Sequence, residues 1–565
     1  MPECTSQAIV KKQVGPGSKN CFGSNITDLQ LRNAKEKEFL LSLGSDVVQN
    51  YTVMWECRWK EFKQTNQALI DEIWRRSNLD PLRPLNRLTP RVAVRGGFLE
   101  LYRLSYEADD LNNIYFYDAN SMYSTVARDT LFPIGDYEII LEQELQTSIE
   151  IKNNEIFYLN ESCISDLAHV AVLAPSELAR PFLPYRLNDQ TYYANCRSCL
   201  KTKNVKPCRH KSDSKRRFVS VWTVIELNYA LSIGYKILYF YELYHYKCKE
   251  KVLSQFVSVV AAQRLKNSNL LEGLTAEQQI ERCNYINGKM NLTDPRLILQ
   301  PLTVKDNKPL KQFWKDFSNS VFGRFALHTN YSQRAFVRSQ YELENIISKP
   351  SVEVLEFFPI GDSTMEIEYL KNASISPSKE GNLIYTALIN AQSRIVLHRL
   401  ITKLHQDGCE PLYCDTDSIL FAAKKNYKLP FDVGLCLGEW KPVLDETAQI
   451  KKFYALGPRN YCLVYECNGK TDYITKIKGL SVSSANLKSS ISPQVYETYL
   501  KAFFEDEVVS TYIPQMRKVV NPQTKSFKYV MLSQRFDNEL HLKRFILKKD
   551  LSRTTYSYGY NFKTM

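Results

Sequence analysis

Residues 413–418 read Tyr-Cys-Asp-Thr-Asp-Ser, and the apolar runs on both sides of this stretch predict a β-hairpin with an acidic tip. Two residues apart in an extended turn, Asp415 and Asp417 are expected to project to the same side. Like charges so close cost energy unless a cation neutralises them. Mg²⁺ prefers one or two carboxylates together with substrate phosphates. The hairpin therefore predicts a divalent-metal site, with a solvated Asp-rich turn as the alternative.

A second acidic stretch lies far upstream in the chain. Residues 115–123 read Tyr-Phe-Tyr-Asp-Ala-Asn-Ser-Met-Tyr, which predicts a strand ending at Asp118 and a polar turn into a helix. A third carboxylate from a separate strand is what two-metal phosphoryl transfer requires, because ions about 3.5 to 4 Å apart clamp the attacking and leaving oxygens. We therefore expect folding to bring Asp118 close to Asp415 and Asp417.

A third stretch, residues 310–326, has the period of a helix with two distinct faces. One face carries Lys311, Lys315, Asn319 and Phe322 and is expected to be left for a ligand. The other face is apolar and is expected to pack against the protein: Phe313, Trp314, Phe317, Val321 and Phe325. The alternative is an ordinary amphipathic surface helix with its lysines in solvent.

These three stretches, in this order, resemble motifs A, B and C of family B DNA polymerases. Further stretches resemble the protein-primed branch of that family, especially the enzymes of Polinton/Maverick transposons, adintoviruses and bidnaviruses: residues 457–461, 476–479 and 537–560. The resemblance covers roughly residues 50–560. It implies an α+β, right-hand polymerase fold, in which the palm is an antiparallel sheet, helices form the fingers, and a thumb follows.

The resemblance also implies an activity, cofactors and partners. The chain would be a DNA-directed DNA polymerase that uses a DNA template, a primer and dNTPs, with two Mg²⁺ ions that Mn²⁺ can replace. It would replicate a viral or transposon genome by protein priming, in which a terminal protein supplies the first hydroxyl. No terminal-protein domain is recognisable in the sequence.

The resemblance assigns the catalytic and metal-binding residues. The catalytic acids would be Asp118, Asp415 and Asp417; the metal ligands would be Asp118, the carbonyl of Ala119 and Asp417, with Asp415 supporting the site. Tyr123 would be a sugar gate whose ring packs under the deoxyribose and clashes with a 2′-hydroxyl. The alternative for Tyr123 is a core residue at a strand-to-helix junction.

The nucleotide-binding and DNA-binding residues are carried over in the same way. The incoming nucleotide would contact Ser121, Met122, Tyr123, Lys311, Lys315, Asn319 and Gly323, and Arg264 or Lys266 would add a phosphate contact. Primer and template would contact Tyr413, Thr416, Arg459, Lys476 and Lys478. The family usually has Tyr where this chain has Phe322, so a hydroxyl is lost there. A solvated strand edge is the alternative for Lys476 and Lys478.

A Cys/His cluster lies in a strongly basic loop between motifs A and B. Cys196, Cys199, Cys208 and His210 are ligand types that a tetrahedral structural zinc takes. We expect this loop to bind zinc and to contact DNA, with a metal-free basic loop as the alternative. Similar loops occur in the Polinton-like relatives.

Composition agrees with a nucleic-acid partner. The chain has 565 residues, 74 Lys and Arg against 61 Asp and Glu, a net charge of +13 and a pI near 8.9. Basic side chains supply most non-specific affinity for phosphates. Aromatic residues at 12% argue against global disorder. Without an apolar leader or a stretch of about 20 apolar residues, we expect an intracellular protein, in a host nucleus or a virion.

The predicted domain organisation follows the motifs. It comprises an N-terminal arm (1–50), a palm region with motif A (51–140), an inserted region with the Cys/His loop (141–250), fingers with motif B (251–335), palm with motif C (336–480), and thumb with tail (481–565). The stretch before Asp118 is too short for the family's exonuclease domain and has no Asp-x-Glu pair. We therefore expect no exonuclease domain and no proofreading.

Two other functions stay open. A reverse transcriptase is one, although such enzymes more often have two adjacent aspartates. A catalytically weak DNA-binding remnant, or one half of a split polymerase, is the other.

Overall fold

The computed structural model describes residues 88–326, 332–349, 352–359, 364–371, 382–478, 491–520, 527–540, 542–547 and 553–561. The chain divides between Leu85 and Asn86, and every described residue belongs to the second part. The sequence also predicts a strand at 51–55 and a helix at 61–76, and both lie outside the described residues.

An antiparallel sheet of nine strands, which we call the palm sheet, organises the fold. Its central path runs in the spatial order Leu99–Leu101, Glu410–Asp415, Ser418–Lys424, Asn112–Ala119, Gln449–Gly457, Asn460–Cys467 and Lys470–Lys476. Two short strands join it from the side: Ser105–Glu107 pairs with Gln449–Gly457, and Trp440–Pro442 pairs with Asn112–Ala119. The strand predicted to end at Asp118 and the predicted acidic hairpin are thus direct neighbours.

The palm sheet is covered on both faces, because alternate residues of its strands enter different clusters. Ile419 and Phe421 pack in the cluster that contains the long helix Leu383–Gln406. Leu420 packs instead with apolar residues of the helix Pro493–Phe504. This period of two is what a sheet buried on both sides requires.

The segment between motifs A and B forms a second region. Its main sheet contains Glu138–Leu141, Leu167–Leu173, Phe218–Thr223 and Lys236–His245. Around it lie the helices Glu142–Ser148, Arg197–Lys201, Asp213–Arg216 and Val224–Ser232, and the small sheets Ile149–Lys152/Glu155–Tyr158/Glu161–Ser162, Pro184–Leu187/Gln190–Tyr193 and Phe132–Ile134/Cys248–Glu250.

The remaining described elements are helices and strands in equal number. The helices are Pro90–Ala93, Met122–Asp129, Ser254–Lys266, Ala276–Lys289, the 3₁₀ turn Pro301–Thr303, Lys308–Phe325 and Gln340–Ile347. The strands are Ser332–Val337, Val352–Pro359 and Met365–Lys371 in one sheet, Ser510–Val520 with Phe527–Asp537, and Phe545–Ile546 with Thr555–Tyr556. Apolar periodicity also predicts helices at 223–233, 253–265 and 383–404 and a strand at 237–243. These elements and the helix predicted at 310–326 are confirmed.

The predicted packing of the motif B helix, Lys308–Phe325, is wrong in part, although Phe325 packs against the core as predicted. Phe313 and Phe317 are 54% and 40% exposed and stack on each other, with ring centroids 5.9 Å apart. Phe322, assigned to the ligand face, is buried in the core instead. Small Ser318 hydrogen-bonds Ser124 of the helix Met122–Asp129 at 2.7 Å. The helix therefore packs through Ser318 and Phe322, which are its buried residues, and not through Phe313 and Phe317.

Across the described ranges, no helix combines the length and the apolar character that crossing a membrane demands.

Candidate active site at the edge of the palm sheet

The acidic hairpin has a strained tip. The amide of Asp417 donates to the carbonyl of Asp415 at 2.6 Å, and Thr416 between them has a φ of +61°. A β-branched residue rarely adopts this left-handed backbone, so surrounding contacts must hold it. The hydroxyl of Ser418 donates to the Asp415 carbonyl at 3.2 Å and closes the turn further.

A neighbouring loop holds the tip. The amide of Thr416 donates to the carbonyl of Phe98 at 2.8 Å. A Cβ at Gly97 would lie 2.7 Å from the Thr416 side chain, so glycine allows the loop to approach. Buried Arg394 donates to the carbonyls of Arg95 and Gly96 at 2.8 and 2.7 Å. The long helix Leu383–Gln406 thereby holds the loop at residues 95–98, and this loop in turn holds the hairpin tip at Thr416.

Strand pairing brings Asp118 beside Asp417. Asp118 is directly opposite Ser418, and the amide of Ala119 donates to the Asp417 carbonyl at 2.7 Å. Burial, with the charges of Asp118 and Asp415, raises the pKa of Asp417 to about 6, while Lys441 opposes this rise. The fold therefore holds an acidic pair whose charge Lys441 balances only in part, and a divalent cation would relieve the remaining repulsion.

Two of the three acids are contacted by a cationic side chain. Arg459 makes a bidentate contact with Asp415, with Nε and Nη2 at 2.8 and 2.9 Å from its two oxygens. The Lys441 ammonium lies 3.3 Å from Oδ1 of Asp118. Asp415 is therefore occupied by a fixed guanidinium, whereas Asp118 and Asp417 keep oxygens for a metal. This arrangement agrees with the predicted ligand pair and with a supporting place for Asp415.

Lys441 is a site residue that the sequence analysis missed. It reaches Asp118 because the strand Trp440–Pro442 pairs with Asn112–Ala119, a connection between distant parts of the chain. The short run Glu439-Trp440-Lys441-Pro442 carries no strong strand signal, so only the folded structure reveals the contact.

The turn after Asp118 presents polar groups toward the fingers. Ser121 has a φ of +52°, and its hydroxyl accepts a hydrogen bond from Nη1 of Arg264 at 2.6 Å. Tyr123 is half-buried, and its pKa is raised by burial and by the nearby charges of Asp417 and Asp415. Met122 is 2% exposed and its side chain packs in the core, so its nucleotide contact, which stays a prediction, would have to involve the backbone.

A cavity of about 410 Å³ lies between this turn and the fingers helices. It is lined by three cationic side chains, Arg264, Lys311 and Lys441, together with the polar Asn120 and Ser121. Lys266 instead donates to the carbonyl of Arg296 at 2.7 Å. Of the two fingers cations considered from the sequence, Arg264 is the one that faces the cavity.

The other predicted motif B residues lie away from this cavity. Lys315, Asn319 and Gly323 are on the exposed side of the helix, and a Cβ at Gly323 would meet nothing within 4 Å. The rotation that buries Phe322 therefore brings Lys311 to the cavity lining and leaves Lys315 and Asn319 facing outward. Their contacts with a nucleotide stay a prediction.

On the primer side, the structure places the predicted residues in two groups. Tyr413 is 2% exposed; its hydroxyl accepts from the Arg459 amide at 3.1 Å and donates to Asp415 at 3.3 Å. The predicted DNA contact by Tyr413 is therefore wrong, because the ring belongs to the core and orients Arg459. Lys476 and Lys478 are exposed at the end of the last palm strand. Their DNA contact stays a prediction.

The Cys/His cluster is assembled as the sequence predicts. Nδ1 of His210 lies 3.5, 3.5 and 3.6 Å from the sulfurs of Cys196, Cys199 and Cys208. These spacings fit four donors around one tetrahedral ion. The C-terminal segment covers the cluster, since a Cβ at Gly559 would lie 2.6 Å from the Cys196 amide.

Taken together, the antiparallel sheet, the acids beside one another at the ends of adjoining strands and the helices packed over them agree with the α+β, right-hand fold that the sequence predicts. Residues 90–275 match the family model described as DNA polymerase type B, organellar and viral. This match includes motif A and supports the resemblance to family B DNA polymerases over that part of the chain.

Solved structures of phi29 DNA polymerase are similar to this chain. The complex with primer-template DNA and incoming nucleotides has 14% identity and a TM-score of 0.47, covering 80% of this chain and 62% of that one. The complex with single-stranded DNA has 13% identity and a TM-score of 0.46, covering 88% and 75%. The chain thus spans about 62% of the length of the first of these relatives. A search among curated proteins finds no match.

Proposed function

We propose that this chain is a DNA-directed DNA polymerase that adds dNTPs to a primer by two-metal phosphoryl transfer. The observation that carries the proposal is the position of Asp118 opposite Ser418, and therefore beside Asp417, next to a cavity with three cationic side chains in its lining. The family match at residues 90–275 supports it. The phi29 relatives are described as complexes with primer-template DNA and incoming nucleotides, which are the substrates proposed here.

Asp118 and Asp417 would hold the Mg²⁺ ions, with a contribution from the Ala119 carbonyl, and Mn²⁺ could replace them. Bound ions would activate the primer hydroxyl and neutralise charge on the transferred phosphoryl group. Hard carboxylate oxygens are the ligands that Mg²⁺ prefers. The raised pKa of Asp417, to about 6, fits a site that needs a cation to keep both acids ionised.

The chain's own cations would bind the triphosphate. One cavity is lined by Arg264, Lys311 and Lys441. Together these side chains could neutralise the negative charge of the bound triphosphate. Arg459 would keep Asp415 from competing for the ions, because it already engages both carboxylate oxygens. Tyr123 would select the sugar, and positioning with charge neutralisation is the main requirement of this chemistry.

The basic Cys/His loop would bind zinc and contact DNA. The spacing of its four donors supports zinc, and its many Lys and Arg residues support a phosphate contact. Protein priming by a terminal protein, the lack of proofreading, and a location in a host nucleus or virion also belong to this proposal. Excision of a mismatched primer end by the purified chain would contradict the proposed lack of proofreading.

The direct experiment is primer extension with purified protein, Mg²⁺ and all four dNTPs. We expect extension on a primed DNA template and little on the same sequence in RNA. Efficient copying of RNA alone would favour the reverse transcriptase. DNA binding in a gel-shift assay without extension on any template would favour the binding remnant or the split enzyme. Addition of a terminal protein tests priming, because a covalently labelled protein product should then appear.

A further inference from the structure

A buried cluster outside the acidic centre and outside the Cys/His loop joins three metal-ligand types. Cys163 and Asp166 lie in the turn between the strands Glu161–Ser162 and Leu167–Leu173, and His245 ends the strand Lys236–His245. Their exposed fractions are 0%, 0% and 1%. One donor atom from each lies within 4.8 Å of the other two.

Backbone geometry fixes this cluster. The amide of Asp166 donates to the Cys163 carbonyl at 2.9 Å, which closes the turn and turns both side chains inward. Leu167 pairs with Tyr244 across the sheet, so His245 is next to that turn by strand register. Residues from two distant parts of the chain therefore meet through the sheet and not through side-chain mobility.

The donor atoms face one another as ligands of a common ion would. Nδ1 of His245 lies 2.7 Å from Oδ2 of Asp166 and 4.0 Å from the Cys163 sulfur. Tetrahedral zinc has bonds of about 2.0 to 2.3 Å, which place neighbouring donors roughly 3.3 to 3.7 Å apart. An ion would have to open the first contact and close the second by less than about 1 Å.

The remaining polar atoms of the cluster have partners of their own. Oδ1 of Asp166 accepts from the Tyr246 amide at 3.1 Å, so Oδ2 is the oxygen left for the ion. Nε2 of His245 faces Oε2 of Glu161 at 3.3 Å. A histidine that binds metal through one nitrogen commonly gives its other N–H to a carboxylate, which sets the tautomer. Glu161 occupies that second position here.

We propose that Cys163, Asp166 and His245 form a second metal site that takes zinc, with Glu161 orienting the histidine. A thiolate and a carboxylate would balance the charge of a divalent ion in this buried place, neutral imidazole would be the third protein ligand, and a water would fill the fourth tetrahedral position. Mixed sulfur, nitrogen and oxygen donors suit zinc and not Mg²⁺. The competing description is metal-free, with a protonated His245 held between Asp166 and Glu161.

The site would brace the region between motifs A and B. Cys163 and Asp166 connect the small sheet Ile149–Ser162 to the main sheet of that region, and His245 belongs to the main sheet itself. Metal binding to donors that the unfolded chain does not assemble stabilises the fold. The proposal is independent of polymerase activity and would hold for a DNA-binding remnant as well.

Metal analysis of the full-length chain tests the proposal. Purified wild type should contain two zinc ions per chain by plasma mass spectrometry. The double variant Cys196→Ser/Cys199→Ser should retain one. Adding Cys163→Ser to that background should remove it, whereas adding Cys462→Ser, a matched change at a buried cysteine bonded to Thr475, should not.

A cobalt spectrum avoids dependence on variants that fail to fold. In the Cys196→Ser/Cys199→Ser background, Co²⁺ should give tetrahedral visible bands and a weak single-thiolate charge-transfer band. If the double variant fails to fold, the zinc content of the wild type decides. Two zinc ions per chain support the proposed site, and one zinc ion per chain overturns it. The proposal would also be overturned, in favour of the metal-free ion pair, if the double variant folded but contained no zinc and gave no cobalt spectrum.

Discussion

The acidic centre and the Cys/His loop are both built for cations, but they differ in how they are closed. Asp118 and Asp417 are held by strand register, remain partly open and carry more negative charge than their neighbours balance. Cys196 and Cys199 are buried under the C-terminal segment, with every sulfur within 3.6 Å of one His210 nitrogen. An open, charge-rich site can admit a substrate, whereas a closed site with four ligands can only hold structure.

The largest expected effect separates the two sites by activity. Asp417→Asn should lower the rate of primer extension by about 10³-fold or more, because a neutral amide neither attracts nor bridges the ions. DNA affinity should change little. Single-turnover extension and gel-shift titration measure the two quantities.

The matched control is Asp110→Asn, at an exposed bend away from the palm edge. Extension by Asp417→Asn within about threefold of this control would remove the catalytic role from the acidic centre.

A second change sharpens the account of the open site as a nucleotide site. Tyr123→Val should reduce the preference for dNTPs over rNTPs, on the order of 10²-fold, because removing the ring removes a clash. Tyr123→Phe keeps the ring and serves as the control. The ratio of kcat/KM for the two sugars is the measurement, and an unchanged ratio would favour the alternative of a core residue.

A third change tests how Arg459 partitions the acids. Arg459→Ala should lower extension by about tenfold, since the freed charge of Asp415 adds to the repulsion at Asp417 and a bidentate contact is lost. Arg459→Lys keeps the charge without the bidentate geometry, so its extension rate should lie between those of wild type and Arg459→Ala. Equal extension by the alanine variant and wild type would show that Asp415 needs no fixed partner.

A fourth change addresses the closed site. Cys199→Ser should release zinc and lower the melting temperature by several degrees, about 2 to 4 °C for each kcal/mol lost. The C-terminal segment near Gly559 should become sensitive to protease, because its contact with Cys196 loosens. Extension below the new melting point should remain within about threefold of wild type. A loss as large as that of Asp417→Asn would erase the contrast between the two sites.

The smallest effect concerns pH and stability without metal. Because the folded protein raises the pKa of Asp417 to about 6, ionising this group destabilises the fold. Stability from this group is complete below its unfolded pKa of about 3.9 and is lost as pH rises through 6. In chelator at pH 7.5, Asp417→Asn should therefore melt about 1 to 3 °C above wild type.

Added Mg²⁺ should reverse that order, and the advantage of the asparagine variant should vanish at pH 4. Melting curves at the two pH values, with chelator or Mg²⁺, measure both points. A lower melting temperature for the variant at pH 7.5 in chelator would contradict the repulsion between Asp118 and Asp417.

The acidic hairpin and its partner strand were predictable because their signals are local. Apolar alternation around Asp417 and Asp118 identifies strands, and the chemistry of paired carboxylates suggests that they meet. The donors of the Cys/His loop were predictable for the same reason, since residue type and short spacing define them.

Features that depend on distant parts of the chain were not predictable. Lys441 reaches Asp118 through a short strand whose sequence is unremarkable, and Gly97 supports Thr416 from a loop some three hundred positions earlier in the numbering. The motif B helix was predicted with the correct ends but the wrong rotation. Ser318 and Phe322 are the buried residues of this helix, whereas Phe313 and Phe317 stay exposed, and helical period alone contains no information about a partner helix.

The most direct test of the central claim maps the metal without relying on activity. Wild-type protein loaded with Fe²⁺ and exposed to ascorbate and peroxide should be cut in the backbone near residue 118 and near residues 415–417, since hydroxyl radicals act close to the ion. Excess Mg²⁺ should suppress both cuts, and Asp118→Asn should abolish them together. Absence of both cuts in the wild type would contradict a shared metal centre. Persistence of either cut in the Asp118→Asn variant would contradict it as well.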